Sequence, residues 1–228
     1  MNTAKGGGFG SRSLSFSRLR RLIACRLRRG RGRYTGHDSA MLARLILALL
    51  LATAVPAAAG PVRVLDLAGR AVNPLALPGG RVATVLVFTT TDCPISNRYA
   101  PDIQRLAARF EKQGIGFTLV YPVGTDTPAV IRDHLKQYGY AMPAVRDTAQ
   151  ELVRHTRVQV TPEVAVIGAG GRVLYKGRID DRYIELGKDR PQPTERTLAR
   201  ALEANVQGKP VAVRETRAVG CFLGDLVK

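Results

Sequence analysis

The chain has 228 residues, of which 45% are hydrophobic, and a formal net charge of +17 at pH 7. This length allows one domain with additional segments, because a typical domain has roughly 100–200 residues. The charge is not typical of a nucleic-acid-binding domain: residues 1–40 hold ten basic side chains and one acidic, whereas residues 60–228 hold 24 basic and 17 acidic, with scattered arginines and no tryptophan.

An uncharged stretch of 15 residues, 45–59, ends in three alanines. It is short for a membrane span, which needs about 20 apolar residues, but it is typical of a secretory signal with an A-x-A cleavage site. We therefore predict a signal peptide over 41–59, cleavage after Ala59 and a bacterial protein exported to the periplasm or another extracytoplasmic space. A signal that is not cleaved would instead hold the protein at the membrane.

Residues 1–40 precede this segment as a basic leader. They are interpreted either as a disordered extension that is removed with the signal, or as the product of a start codon upstream of the true one at Met41. Of the three cysteines, Cys93 and Cys221 remain after processing, and an exported protein can hold such a pair as a disulfide.

The mature chain begins with strand and helix patterns in alternation. Residues 62–72 predict a strand or hairpin that precedes the main sheet, and the apolar, β-branched run 82–88 predicts a strand buried on both faces. Helical spacing follows over 94–113, and a second buried strand is expected over 115–123. Alternation of this kind predicts parallel strands.

The next helix is expected to begin with Thr127 as its N-cap and Pro128 at its first position, and to end near Gly139. A short extended segment over 141–145 and a brief helix over 148–156 follow.

The pattern then changes. Residues 164–169 and 173–179 predict two strands of an antiparallel hairpin around two glycines, and residues 194–206 predict a closing helix. This order is the plan of a thioredoxin-like α/β fold, with a central mixed sheet flanked by helices and an N-terminal strand or hairpin extension. The expected domain covers 60–208, and residues 209–228 form a C-terminal tail that carries Cys221.

Cys93 is the most informative residue, because it follows the buried strand 82–88 and reads as the first residue of a helix. Unpaired N–H groups and the positive end of the helix dipole favour the thiolate at that position. Asp92 beside it opposes a second negative charge. A buried structural thiol is the alternative interpretation, but the placement favours a reactive cysteine.

The run Cys93-Pro94-Ile95-Ser96 resembles the site where thioredoxin-like proteins carry Cys-x-x-Cys, and Thr161-Pro162 stands where they carry a cis-proline before the hairpin. Over residues 62–208 the chain resembles the exported redoxin group, which contains alkyl hydroperoxide reductase, thiol-specific antioxidant and thiol–disulfide proteins. The resemblance implies that Pro162 is cis and lies against Cys93, and that Thr161 and Pro94 contact an extended substrate.

Three departures from that group matter. Ser96 replaces the second cysteine, so it can donate a hydrogen bond to a thiolate but cannot form a disulfide. Thr90 matches the threonine of the peroxiredoxin signature, whereas Leu86 occupies the position of its proline. Glu163 follows Thr161-Pro162 in the place where peroxiredoxins carry a peroxide-polarising arginine. These differences argue against an ordinary peroxidase.

Cys221 lies in a short apolar run, 218–223, after a polar link. The tail is either disordered with an incidental thiol, or docked near Cys93, where Cys221 would resolve a sulfenic acid or a mixed disulfide. Such a bridge needs Cα atoms within about 7 Å.

Other polar residues carry weaker signals. His134 and His155 are expected at the surface or boundary of helices, and Asp180-Asp181 in a solvated loop. Arg98 and Arg178 are candidates for orienting a substrate or offsetting Asp92. The two cysteines and two histidines have no close ligand spacing, so no metal site and no cofactor are predicted.

The sequence therefore predicts an exported thiol-dependent oxidoreductase in which Cys93, Ser96, Thr90, Pro162 and Cys221 form the site. Its substrate would be a protein disulfide or a small oxidant, and a thiol would supply electrons. The alternative is a non-catalytic thioredoxin-like module that binds a partner protein or a copper ion through Cys93.

Overall fold

The computed structural model of the chain describes residues 62–226, without the side chains of 225 and 226. The leader and signal peptide predicted over 1–59 therefore lie outside the described residues. Within the described part, no helix has the length and apolar character needed to cross a membrane.

The sheet is built from the apolar runs of the sequence. Its strands and those of two small ladders are β1 (Val64–Asp66), β2 (Ala71–Val72), β3 (Ala83–Phe88), β4 (Ile115–Tyr121), β5 (Ala144–Arg146), β6 (Val160–Thr161), β7 (Glu163–Ile167), β8 (Val173–Gly177), β9 (Tyr183–Glu185), β10 (Lys188–Asp189) and β11 (Cys221–Phe222). Seven of them form one sheet in the order β2-β1-β5-β4-β3-β7-β8.

The sheet is mixed, as predicted. β3, β4 and β5 are parallel, whereas β1, β7 and β8 join their neighbours antiparallel. Every residue of β3 and β4 is buried, which is why their sequences are nearly continuous apolar runs. The thioredoxin-like α/β architecture and its N-terminal hairpin, β1–β2, are thus confirmed.

Six helices pack around this sheet in the described part of the chain. They are α1 (Pro94–Arg98), α2 (Ala100–Phe110), α3 (Pro128–Tyr138), α4 (Glu151–Thr156), α5 (Thr197–Val206) and α6 (Leu223–Leu226). Thr127 caps α3 by accepting a hydrogen bond from the N–H of Val130, and left-handed Gly139 ends it, both as predicted.

The single helix expected over 94–113 is wrong in one respect: it is divided at Tyr99, which ends α1 and begins α2. Pro101 has no N–H to donate to the carbonyl of Asn97, and its ring would crowd that carbonyl in a continuous helix. The break separates the short helix α1, which follows Cys93, from the longer helix α2.

The closing helix begins at Thr197 rather than at 194, because Asp181 binds the preceding turn. One oxygen of its carboxylate accepts hydrogen bonds from the N–H groups of Thr194 and Glu195, both at 2.7 Å. The other oxygen accepts from the Thr194 hydroxyl and lies 3.3 Å from the Nε of Arg190.

The tail past residue 208 packs against the domain. Lys176 of β8 exchanges backbone hydrogen bonds with Arg214 and Thr216. Further on, β11 pairs antiparallel with β6, and the buried side chain of Leu223 joins the apolar cluster that contains Leu86 and Phe88. Residues up to 226 are therefore part of the same packed structure as the predicted domain.

Candidate functional site

Cys93 lies between the end of β3 and the start of α1, where it is the N-cap residue. Its sulfur accepts a hydrogen bond from the N–H of Ser96 at 3.4 Å, and Pro94 occupies the first helical position, where a missing N–H costs nothing. The strand-to-helix placement expected from the sequence is thus confirmed.

The Cys93 side chain is enclosed, with 1% of its surface exposed. Its sulfur lies 3.1 Å from the carbonyl oxygen of Thr161 and 3.3 Å from the sulfur of Cys221. The Thr161–Pro162 peptide bond is cis, as the sequence resemblance implied. Pro162 therefore directly follows the carbonyl that contacts the thiol.

Cys221 reaches the site from the far end of the chain. In β11 it pairs with Thr161, and this register brings its sulfur to Cys93. Both cysteines are free thiols in this structure, so their predicted disulfide stays a prediction. A bond about 2.05 Å long would require the two sulfurs to move about 1.2 Å closer together.

The two thiols have opposite pKa shifts. Burial raises the pKa of Cys93, but the donor groups around its sulfur, which are the hydroxyl and N–H of Ser96, the Cys221 thiol and the Thr161 side chain, outweigh it and lower the pKa below its ordinary value. Burial, together with the hydrogen bond to Cys93 and its charge, raises the pKa of Cys221 to about 11. When the two thiols have lost one proton, the remaining proton is therefore on Cys221 and the charge is on Cys93.

Four hydroxyl groups of the described residues are buried without a partner of ordinary hydrogen-bond geometry, and two of them, those of Ser96 and Thr161, lie beside Cys93. Both belong to residues that contact the Cys93 sulfur through their backbones. A buried hydroxyl without a partner costs free energy. A negative charge that forms nearby would accept its hydrogen bond. Their position is suited to a thiolate on Cys93.

Thr90 contributes differently from a peroxiredoxin threonine. Its side chain is buried, and its contact with Cys93 runs through the backbone, where its carbonyl accepts the N–H of Cys93 at 3.4 Å.

A polar network that sequence reasoning missed supports the loop before Cys93. Asn97 donates to the carbonyl of Thr91 at 2.9 Å and lies 2.8 Å from Nε2 of His134, whose Nδ1 lies 2.8 Å from the Tyr121 hydroxyl. The Thr91 hydroxyl donates to Asp126 at 2.5 Å. These contacts tie the cysteine loop to β4 and α3.

The expectation that His134 lies at a surface or boundary is wrong, since only 4% of it is exposed. Its two ring nitrogens lie within hydrogen-bond distance of the Tyr121 hydroxyl and the Asn97 side chain, and burial lowers its pKa, which favours the neutral ring. The sequence held one signal, because His134 stands three residues after buried Ile131 on the same helix face. His155 is exposed, as expected.

The solvated loop expected at Asp180-Asp181 is also wrong, because both residues are buried. Asp180 accepts the Tyr99 hydroxyl at 2.5 Å, and Asp181 binds the start of α5 as described above. Arg98 pairs with Asp189 and Arg178 with Glu195, so neither faces Asp92 in this structure. These contacts join residues 180–181 to Tyr99 and to the turn before α5.

Within residues 62–226, no three histidine, cysteine, aspartate or glutamate side chains come together as metal ligands would.

The fold and the enclosed cysteine after β3 define the class of protein: a thioredoxin-like protein with one thiol in the turn between β3 and α1. The family model for Redoxin matches residues 53–186, which is more than half of the chain. The chain therefore belongs to the Redoxin family. No curated protein matches the chain significantly.

Solved structures agree on the fold. A hypothetical protein of Sinorhizobium meliloti is similar at 22% identity and a TM-score of 0.61, covering 71% of this chain and 89% of its own. An uncharacterised conserved protein of Geobacillus kaustophilus, also 22% identical, has a TM-score of 0.62 and covers 72% and 88%. A secreted disulfide oxidoreductase of Mycobacterium tuberculosis is more distant, with 18% identity, a TM-score of 0.44 and coverage of 65% and 96%.

Proposed function

We propose that the protein is an exported thiol-dependent oxidoreductase, in which Cys93 is the nucleophile and Cys221 the resolving thiol. One observation carries the proposal: two free thiols 128 positions apart in the chain lie with their sulfurs 3.3 Å apart, and one of them is in the turn that resembles the Cys-x-x-Cys site of thioredoxin-like proteins. Membership of the Redoxin family is consistent with thiol chemistry.

In the first step the Cys93 thiolate attacks one sulfur of a disulfide. The substrate S–S bond breaks, one half stays on Cys93 as a mixed disulfide, and the other half leaves as a thiolate. With a peroxide, the thiolate takes the terminal oxygen, an alcohol or water leaves, and Cys93 becomes a sulfenic acid. The lowered pKa of Cys93 supports this role, because the thiolate is the nucleophile.

In the second step Cys221 attacks the sulfur of Cys93. The group bound to Cys93 leaves as a thiol, or as water from the sulfenic acid, and a Cys93–Cys221 disulfide forms. Two electrons have then passed from the thiol pair to the substrate. An external thiol donor returns them.

Ser96 occupies the position of a local second thiol and serves as a hydrogen-bond donor to the Cys93 thiolate. As the sequence resemblance implies, Thr161, Pro162 and Pro94 would line the groove that receives the substrate. Because β11 is joined to β6 by only two residue pairs, its detachment would open that groove to a disulfide-bearing chain while the protein is reduced. The substrate class is a protein disulfide or a small oxidant.

Export rests on the sequence alone, through the segment 45–59 and its three closing alanines. The periplasm or a comparable space suits a cysteine pair that cycles through a disulfide.

The test measures reduction of a mixed-disulfide peptide and consumption of peroxide by the purified protein. The wild type should carry out at least one of these two reactions. The Cys93→Ser variant should carry out neither, and the Cys221→Ser variant should stop after one turnover. A wild type that performs neither reaction fails the proposal and leaves the binding-module alternative.

A further inference from the structure

The two thiols differ sharply in access. Only 1% of Cys93 is exposed, whereas Cys221 is partly exposed. Cys93 is enclosed by its own loop, by the Thr161 carbonyl and by β11, so a reagent in solution meets the Cys221 sulfur first.

The strand that carries Cys221 also fills the edge beside Cys93. Cys221 pairs with Thr161 and Phe222 with Val160, so the backbone groups of β6 that an incoming extended chain would use are occupied. The backbone of Gly220 lies so close to the backbone of Thr161 that a Cβ on Gly220 would be 2.1 Å from the Thr161 carbonyl oxygen. While β11 is in place, no second strand can be added at this edge.

Contacts on both sides hold β11 in place. After it, the N–H of Leu223 donates to the carbonyl of Gln159 at 2.9 Å and its side chain is buried. Before it, the N–H of Thr216 donates to the carbonyl of Lys176 at 3.0 Å. A disulfide to Cys93 would add a covalent tether between these two attachments, so β11 could detach only in the reduced protein.

We propose that the external electron donor attacks the oxidised protein at the sulfur of Cys221, so that its mixed disulfide forms on Cys221 and Cys93 departs as the leaving group. This inference rests on the proposed function. It separates two entry points: substrate reaches Cys93 in the reduced protein, and donor reaches Cys221 in the oxidised protein.

The donor reduces the disulfide in two successive exchange steps. A donor thiolate attacks Cys221, the Cys93–Cys221 bond breaks, and its electron pair leaves on Cys93. A second donor thiolate then attacks the donor sulfur of the mixed disulfide, which releases Cys221 as a thiolate that takes up a proton. Two donor thiols have become one donor disulfide, and both protein cysteines are reduced.

Leaving-group chemistry points the same way, because a thiol of lower pKa leaves faster. The pKa of Cys93 is lowered and that of Cys221 raised, so rupture toward Cys93 puts the charge on the better-stabilised sulfur. Attack at Cys93 would need an in-line approach through its enclosed side and would expel the poorer leaving group.

The first experiment uses the full chain after oxidation with diamide. Oxidised protein is mixed briefly with glutathione, quenched with acid, alkylated with iodoacetamide and mapped by mass spectrometry. Glutathione on the Cys221 peptide with an alkylated Cys93 is the expected result. Glutathione on Cys93 with an alkylated Cys221 would overturn the inference.

A second measurement keeps the two proposals distinguishable. If diamide forms no Cys93–Cys221 bridge, the proposed function fails, and iodoacetamide labelling of Cys93 still decides whether β11 shields it. Labelling should be about tenfold or more faster in the full-length double variant Gly220→Ala/Cys221→Ser, whose added Cβ displaces β11, than in Cys221→Ser alone, because exposure controls thiol reactivity. Equal rates would refute the shielding and with it the separate entry points.

Discussion

Ser96 illustrates how one residue changes the chemistry that the turn after β3 can support. A cysteine there would let the turn form its own disulfide, whereas the serine leaves Cys93 with a donor of hydrogen bonds and no local resolving partner. The buried, unpartnered hydroxyl beside Cys93 supports the proposal that Ser96 donates to the thiolate.

Replacing Ser96 by alanine should therefore raise the pKa of Cys93. The pKa should rise because the thiolate loses a hydrogen bond, and a hydrogen bond to a charged group contributes roughly 1.5 kcal/mol. The pH profile of Cys93 alkylation by iodoacetamide measures this in the Cys221→Ser background. Thr148→Ala, at an exposed position, serves as the control and should leave the profile unchanged. An unchanged midpoint of the alkylation pH profile in Ser96→Ala would show that the hydroxyl does not stabilise the Cys93 thiolate.

At the scale of elements, β11 depends on close approach of two backbones. Gly220 has no Cβ. A Cβ at this position would lie 2.1 Å from the backbone carbonyl oxygen of Thr161, and no movement of a flexible side chain could relieve that clash. Cys221 is the next residue, so any shift of the strand separates the two sulfurs.

Gly220→Ala should reduce the yield of the Cys93–Cys221 disulfide under mild oxidation to a small fraction of the wild-type yield. Gly224→Ala is the matched control, because a Cβ at that position meets no atom within 4 Å. Mass spectrometry of alkylated, non-reduced protein measures the yield. Equal disulfide in both variants would mean that the strand register does not bring the thiols together.

A second element depends on Asp181, which holds the turn before α5. Burial opposes its ionisation, but the N–H groups of Glu195 and Thr194, the Thr194 hydroxyl and Arg190 outweigh it and lower its pKa to about 2. Because the folded pKa lies below the unfolded value of about 3.9, this stabilisation is present above pH 4 and is lost as pH falls toward 2.

Asp181→Ala should lower the free energy of unfolding by about 1–2 kcal/mol at pH 7, the range found for lost helix caps. Urea unfolding of the variant and of Asp133→Ala, at an exposed position, gives the comparison. The difference between wild type and Asp181→Ala should shrink as the pH is lowered from 4 to about 2. A difference that persists unchanged at low pH would contradict the assignment.

On the scale of the whole molecule, the sheet and its helices could be predicted from local patterns, because buried strands are continuous apolar runs and caps such as Thr127-Pro128 mark helix starts. The pairing of β11 with β6 could not, since two residue pairs far apart in the chain leave no periodic signal. The neutral, buried state of His134 likewise depends on partners from β4 and α1.

The predicted disulfide would also change the stability of the whole domain, because it closes a loop between positions 128 apart. Loop-closure entropy gives a stabilisation of about 5 kcal/mol for a loop of this size. Urea unfolding of diamide-oxidised protein should show a higher midpoint than reduced protein, and Cys221→Ser should show no effect of diamide. Identical midpoints for oxidised and reduced wild type would indicate that the bridge is strained or absent.

The central claim is that Cys93 and Cys221 act as one redox pair. Its most direct test is peptide mapping of the full-length wild type, non-reduced, after exposure to one equivalent of oxidant per protein. The account predicts a single cross-linked species that joins the Cys93 and Cys221 peptides and disappears on reduction. Recovery of both residues as free, alkylated thiols, or of each oxidised separately, would contradict it.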